Sequence, residues 1–318
     1  MNRAARITAA ATGALALIVA GFVALSWAPD RPVSQLEARW ASPPSTFIEV
    51  DGMRVHVRDE GRRDDPVPVI LLHGTSASLH TWDGWVRGLE GRRRVIRVDM
   101  PGFGLTGPSP DGEYTIGSYV RFTTAVLDHF GVKRCVLAGN SFGGWVAWET
   151  ALADPGRVEA LVLVDSAGYA IRSQSVPLAF RLATVPLANR LMQVILPRRL
   201  VESSVRNVYG DPGKVTPDLV DRYYEISLRE GNRAALVQRF VQAPLGIDEA
   251  RIRELRVPTL IIWGGRDRLI PAEYGRLFLR DIAGSELAIF DDLGHVPQEE
   301  DPSRTVAAVV SFLAGFPD

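Results

Sequence analysis

Cysteine is almost missing from this sequence: 318 residues contain one, Cys135. No intrachain disulfide can therefore form, and no thiol cluster can hold zinc or an iron–sulfur centre. Cys135 lies in Lys133-Arg134-Cys135-Val136-Leu137-Ala138, a strand-like run where it reads as a small core residue. Net charge is missing too. The 36 basic residues stand against 37 acidic ones, a formal −1, so no global field favours nucleic acid or an acidic partner. No run of Lys and Arg interleaved with aromatics marks a nucleic-acid groove. Internal repeats, low-complexity stretches and metal-ligand clusters are also absent, and the expected cofactor and metal content is none. What remains is an ordinary packed composition, 46% hydrophobic and 23% charged.

The long apolar run is confined to the start. Arg3 and Arg6 precede an uncharged stretch from Ile7 to Ala28, long enough at 1.5 Å per residue to span a hydrocarbon core. Basic residues before it and Asp30 after it fit an amino terminus left in the cytoplasm. The expectation is an inner-membrane protein with a single N-terminal helix and the globular part on the extracytoplasmic side. The alternative is a periplasmic or secreted protein released by cleavage near Ala24-Leu25-Ser26. Residues 29–45, with four prolines, read as a tether.

From Thr46 onward strand and helix patterns alternate. Thr46 to Val50 and Met53 to Arg58 are β-rich runs joined at Asp51-Gly52, a hairpin signal. Val67 to Leu72, Val95 to Val98, Cys135 to Ala138, Ala160 to Val164, Thr259 to Trp263 and Leu287 to Phe290 read as short buried strands. Helical patterns fill the gaps: Trp82 to Leu89, Ile116 to Phe130, Gly143 to Ala153, Ala272 to Leu279 and Pro302 to Leu313. That alternation predicts an α/β fold, a mostly parallel eight-stranded sheet flanked by helices. One region, 169–255, has no convincing strand and reads as a helical cap inserted after strand 6, between core segments 46–168 and 256–318. A cap there sits over the carboxyl ends of the strands, where open α/β sheets bind ligands.

Chemistry concentrates in Gly139-Asn140-Ser141-Phe142-Gly143-Gly144, a G-x-S-x-G motif between an apolar strand and a helix. A sharp turn there strains Ser141, demands small neighbours and places the hydroxyl at a helix amino terminus. A serine needs a base. Of the five histidines, His56 alternates with valines and is expected to face outward on an edge strand. His129 reads as structural, His80 as a candidate for the pocket border, and His73 as a buttress of the loop after strand 3. His295 stands in Gly294-His295-Val296-Pro297, after the last strand, with a glycine beside it for freedom. It is the expected base. Asp267, after the strand ending at Trp263, is the expected orienter of that base, with Asp165 as its rival; Asp291 and Asp292 read as turn residues. The backbone N–H groups of Thr75 and Phe142 are the expected oxyanion donors.

His73-Gly74-Thr75, Asp99-Met100-Pro101-Gly102-Phe103-Gly104, the Ser141 motif, Trp263-Gly264-Gly265-Arg266-Asp267 and Gly294-His295 fall in the order of the α/β-hydrolase superfamily, which the chain resembles from about Thr46 to its end. Gly-Asn-Ser-x-Gly-Gly is similar to the elbow of carbon–carbon bond hydrolases of ring-fission products and of many esterases. Haloalkane dehalogenases and epoxide hydrolases of this superfamily use an aspartate where Ser141 stands. The resemblance implies a serine hydrolase cleaving a carboxylic ester or related acyl compound through an acyl-enzyme. Carbon–carbon hydrolysis of a diketone, a perhydrolase reaction and a non-catalytic binding protein on a hydrolase scaffold are the alternatives. The partner is a small, apolar acyl substrate. Phe180, Leu182, Leu187, Leu191, Met192 and Ile195 form either an apolar lid or a core-facing helical stripe.

Overall fold

Strand side chains alternate between two faces, and here that alternation separates two cores. Ile70, Leu72, Leu137, Leu161, Leu163, Ile261 and Trp263 join one apolar cluster, while Val69, Leu71, Val136, Ala138, Ala160, Val162 and Ile262 join another. Period-two sorting of this kind is what a sheet covered by helices on both sides requires. The computed structural model describes residues 12–14, 17, 20, 21 and 23–316. It shows eight strands: β1 (Thr46–Val50), β2 (Met53–Gly61), β3 (Val69–Leu72), β4 (Arg94–Val98), β5 (Cys135–Asn140), β6 (Val158–Val164), β7 (Thr259–Gly264) and β8 (Glu286–Phe290). Their order is β1-β2-β4-β3-β5-β6-β7-β8. Pairings of β2 with β1 and β4 are antiparallel, and every other pairing is parallel.

The strand order reverses at β3, which lies between β4 and β5 with Leu72 opposite Gly139. Crevices of open parallel sheets open at such a switch point, beyond the carboxyl ends. His73-Gly74 and Ser141 follow directly on β3 and β5. Between β6 and β7 the chain forms the helices Leu178–Ala183, Pro186–Met192, Arg198–Val208, Pro217–Ser227 and Asn232–Gln242, as the expected insertion after strand 6.

Two expectations need correction. The membrane anchor is not supported: among the described residues no helix is long and apolar enough to cross a membrane. Much of the run from Ile7 to Ala28 lies outside the described residues, but its carboxyl end is stitched to the insertion. The Ala28 N–H donates to Val194 O (2.9 Å), the Leu196 N–H donates to Ser26 O (3.0 Å), and Ala28 packs with Leu196 and Leu228. The expected inner-membrane placement falls with the helix that carried it.

Nor is 29–45 a free tether. It contains the helix Val33–Trp40, whose Leu36 is buried. Asp30 pairs with Arg233, Arg39 reaches Glu225 at 2.7 Å, and the Trp40 indole N–H donates to Glu225 at 2.8 Å. The prolines flank this helix rather than extending the segment, and Pro32 stands just before its first turn, where a proline does no harm.

Candidate functional site

Ser141 directly follows β5 with φ 55° and ψ −117°, a conformation few residues other than glycine adopt. The turn is tight because its neighbours lack side chains. A Cβ on Gly139 would lie 2.2 Å from Gly143 O, and one on Gly143 only 2.3 Å from Leu72 O and 2.5 Å from His73 O. Since backbone cannot yield as a flexible side chain does, Gly143→Ala is expected to cost about 3 kcal/mol or more. Thermal unfolding should register a fall of about 5 °C or more for a domain of this size.

Asn140, beside the serine, is buried and donates through Nδ2 to Val164 O (3.1 Å) and His295 O (3.0 Å). One amide thus ties the Ser141 turn to β6 and to the loop carrying His295. Backbone packing holds that loop as well. The His295 N–H donates to Val208 O at 2.7 Å, the Gly294 N–H donates to Glu300 Oε2 at 2.8 Å, and a Cβ on Gly294 would lie 2.3 Å from Gly210 N. Gly294 therefore serves close approach to the insertion rather than freedom of the loop.

His295 and Asp267 meet as the sequence predicts. The Nδ1–H of His295 donates to Asp267 Oδ2 at 2.6 Å, with both residues about 95% buried or more. Asp267 Oδ1 accepts from the Leu269 and Ile270 N–H groups at 2.8 and 3.0 Å. With Nδ1 committed as donor, Nε2 of the neutral ring is left as an acceptor. Ser141, His295, Thr75 and Phe142 all line one cavity of about 380 Å³. Neither the Thr75 nor the Phe142 N–H donates to another group among the described residues. Gly74 brings its loop so near that an added Cβ would lie 3.2 Å from Ser141 Cβ.

Asp165 does not displace Asp267; it joins it. Fully buried at φ 44°, it accepts from the Gly264 N–H at 3.0 Å through Oδ1. Its other oxygen has no partner as a carboxylate, yet the side chain is hydrogen-bonded to Asp267. Two carboxylates share such a bond only if one carries the proton. Burial, and then the charge of Asp267, push the Asp165 carboxyl well above the ordinary range. Asp165 is thus the neutral member and donates to Asp267. Together with His295 the two acids offer ligand atoms within 4.8 Å of one another, a grouping the sequence did not show, and their mutual hydrogen bonds account for that closeness.

The remaining histidines lie outside the cavity. His73 is a buttress, as expected: its Nδ1–H donates to Gly74 O (2.7 Å), its Nε2 accepts from the Met100 N–H (3.0 Å), and burial lowers its pKa. His80 does not border the cavity. It bonds Ser78 Oγ and Trp40 O, and burial pulls its pKa down to about 3. His56 is not outward-facing. It is fully buried, 2.6 Å from Asp99 Oδ2 and 2.8 Å from Ser45 Oγ, because β2 has a neighbour on each side and both its faces are covered. Of the apolar residues assigned to a lid or stripe, Phe180 and Met192 line the cavity while Leu187 and Leu191 are exposed.

A reversed, mostly parallel sheet with a strained serine at its switch point defines the class as an α/β hydrolase. A family model described as alpha/beta hydrolase fold matches residues 67–302, and the chain belongs to that family. It is 32% identical over 273 residues to a 2-hydroxymuconate semialdehyde hydrolase of Pseudomonas sp. strain CF600, covering 83% of this chain and 91% of the relative. A 2-hydroxy-6-oxo-2,4-heptadienoate hydrolase of Pseudomonas putida is 30% identical, with 84% and 95% covered. Among solved structures, a meta-cleavage product hydrolase from Pseudomonas fluorescens superposes with a TM-score of 0.74 at 26% identity, over 85% of this chain and 97% of that one.

Proposed function

We propose that the chain is a serine hydrolase in which Ser141 attacks a substrate carbonyl, His295 takes and returns the proton, and Asp267 holds the imidazole. The N–H groups of Thr75 and Phe142 bind the oxyanion. The observation that carries this reading is the 2.6 Å bond between His295 and Asp267 in a loop that Asn140 ties to the Ser141 turn. Asp267 fixes the tautomer whose free nitrogen accepts a proton, and Ser141 lines the same cavity as His295.

The scissile bond is proposed to be the carbon–carbon bond of a diketone ring-fission product, supported by the activities of the relatives at 30–32% identity. Such a substrate and an ester make the same demands on the site. Each passes through an oxyanion, and each leaving group, a stabilised carbanion or an alkoxide, collects the proton His295 carries. A carboxylic ester is the second reading. It is favoured by Thr75-Ser76-Ala77-Ser78, which stands where ring-fission hydrolases of this type usually carry a glycine-rich run.

Parallel assays separate the two. One set takes 2-hydroxymuconate semialdehyde and 2-hydroxy-6-oxo-2,4-heptadienoate, the other p-nitrophenyl esters of rising chain length. A kcat/KM at least tenfold higher on the dienoates is expected. Faster ester turnover would transfer the assignment to esters. Turnover of neither, with no fluorophosphonate labelling of Ser141, would leave a binding protein.

A further inference from the structure

Among the described residues three arginines line the cavity, and no aspartate or glutamate does. Arg181 is exposed to solvent. Arg233 is engaged, bonding Asp30 and donating to Met192 O at 3.0 Å. Arg239 differs from both. On the helix Asn232–Gln242, it is 97% buried, and its guanidinium has no hydrogen-bond or ion-pair partner among the described residues. Two ring faces hold it, the guanidinium carbon lying 4.1 Å from the centroid of Phe142 and 5.0 Å from that of Phe240, and the buried Tyr119 side chain is near enough to interact with it electrostatically.

A buried cation held chiefly by aromatic side chains is costly, because stacking replaces little of its lost hydration. Burial draws its pKa down to about 10, so it remains charged at neutral pH. A guanidinium with five N–H donors thus stands at the wall of the cavity with no acceptor engaged, and its buried Nε–H is unpartnered. A planar oxyacid matches that fork best, since a carboxylate can accept two parallel bonds.

We propose that Arg239 is a specificity residue that receives a carboxylate on the substrate, so that the cavity selects anionic acyl or keto compounds over neutral ones of the same length. The proposal deepens the hydrolase reading and rests on it for the word substrate. Phe142 links the two ends of the site. Its N–H is the proposed oxyanion donor and its ring carries the guanidinium, so the substrate's charged group and reacting carbonyl lie on either side of one residue.

The binding test does without turnover. The Ser141→Ala protein is titrated calorimetrically with hexanoate and with hexanamide. Hexanoate is expected to bind at least tenfold more tightly, the preference vanishing in the Ser141→Ala/Arg239→Met double variant and partly surviving with Arg239→Lys. Equal binding of the two ligands, or a preference that persists without Arg239, would overturn the proposal. If Arg239→Met does not fold, the hexanoate-to-hexanamide ratio and the Lys variant still decide it.

The kinetic test compares 4-nitrophenyl hydrogen glutarate with 4-nitrophenyl valerate, nearly equal in length. The unaltered protein should prefer the anionic ester at least tenfold in kcat/KM, and Arg239→Met should reverse that order, chiefly through KM. Arg239-dependent hexanoate binding without any turnover would keep the anion subsite and remove the hydrolase reading. Turnover that ignores substrate charge would do the opposite.

Discussion

Ser141→Ala is expected to lower kcat by about 10⁶-fold on whichever carbonyl compound the protein hydrolyses, the scale that loss of the nucleophile alone reaches in a serine protease. KM stays close to its original value, because the cavity walls are untouched. The size of the effect follows from what is left behind. On the proposed mechanism His295 can then activate only water, and the covalent route that divides one hard step into two is gone. The N–H groups of Thr75 and Phe142, the proposed oxyanion donors, would remain to polarise the carbonyl, so activity should fall to a small residue rather than to nothing. Folding is not the confounder here. Alanine keeps the Cβ that already tolerates φ 55° at this position, and the substitution removes one oxygen at the cavity wall. Unfolding temperature should therefore move by no more than about 1–2 °C, less than half the shift expected of Gly143→Ala. A loss smaller than about 100-fold, with the protein folded, would place the nucleophile elsewhere.

Much of this site was legible in the sequence because its parts obey local rules. The turn at Ser141 needs small neighbours whatever the rest of the chain does, and Gly139, Gly143 and Gly144 announce it. His295 follows a strand and a glycine, and Asp267 follows a strand and a turn. Their meeting was inferable from topology, since both loops leave the carboxyl edge of one sheet. Facts that depend on which strand lies beside which were not legible. Asp165 and Asp267 are rivals for one role as long as they are separate letters. The register of β6 on β7, with Val164 opposite Ile262, sets the two acids side by side and makes one the neutral partner of the other. His56 was misplaced for a related reason: the alternation Val55-His56-Val57 is that of an edge strand until β4 is known to pair with β2. The Asp99 carboxylate then awaits the imidazole, while also accepting from the Leu79 and Leu105 N–H groups. Arg239 carried no signal at all. A basic residue on an amphipathic helix ordinarily points to water, and only the packing of the insertion over the switch point turns this one inward.

The two buried acids yield the second large effect, and its contrast is the informative part. Asp267→Asn is expected to lower kcat by about 10⁴-fold, because an amide that donates toward His295 Nδ1 favours the wrong tautomer and cannot stabilise the imidazolium. Asp165→Asn, the same chemical change on the adjacent side chain, should cost less than about fivefold. The protonated Asp165 accepts from the Gly264 N–H and donates to Asp267, and an asparagine does both through Oδ1 and Nδ2. Stability should respond in the opposite sense. Because the folded-state pKa of Asp165 is raised, its contribution is complete below the ordinary carboxylate range and is lost as pH climbs from about 4 toward the folded value. Asparagine carries no such titration. Asp165→Asn should thus gain on the unaltered protein in unfolding temperature between pH 4 and pH 8. The measurement is a pair of denaturation series across that range beside kcat for both variants. Equal catalytic damage from the two substitutions would make Asp165 the ionised orienter of His295 and reverse the assignment of the proton. A small effect from both would mean that His295 acts without a carboxylate behind it, which the 2.6 Å bond to Asp267 gives no reason to expect.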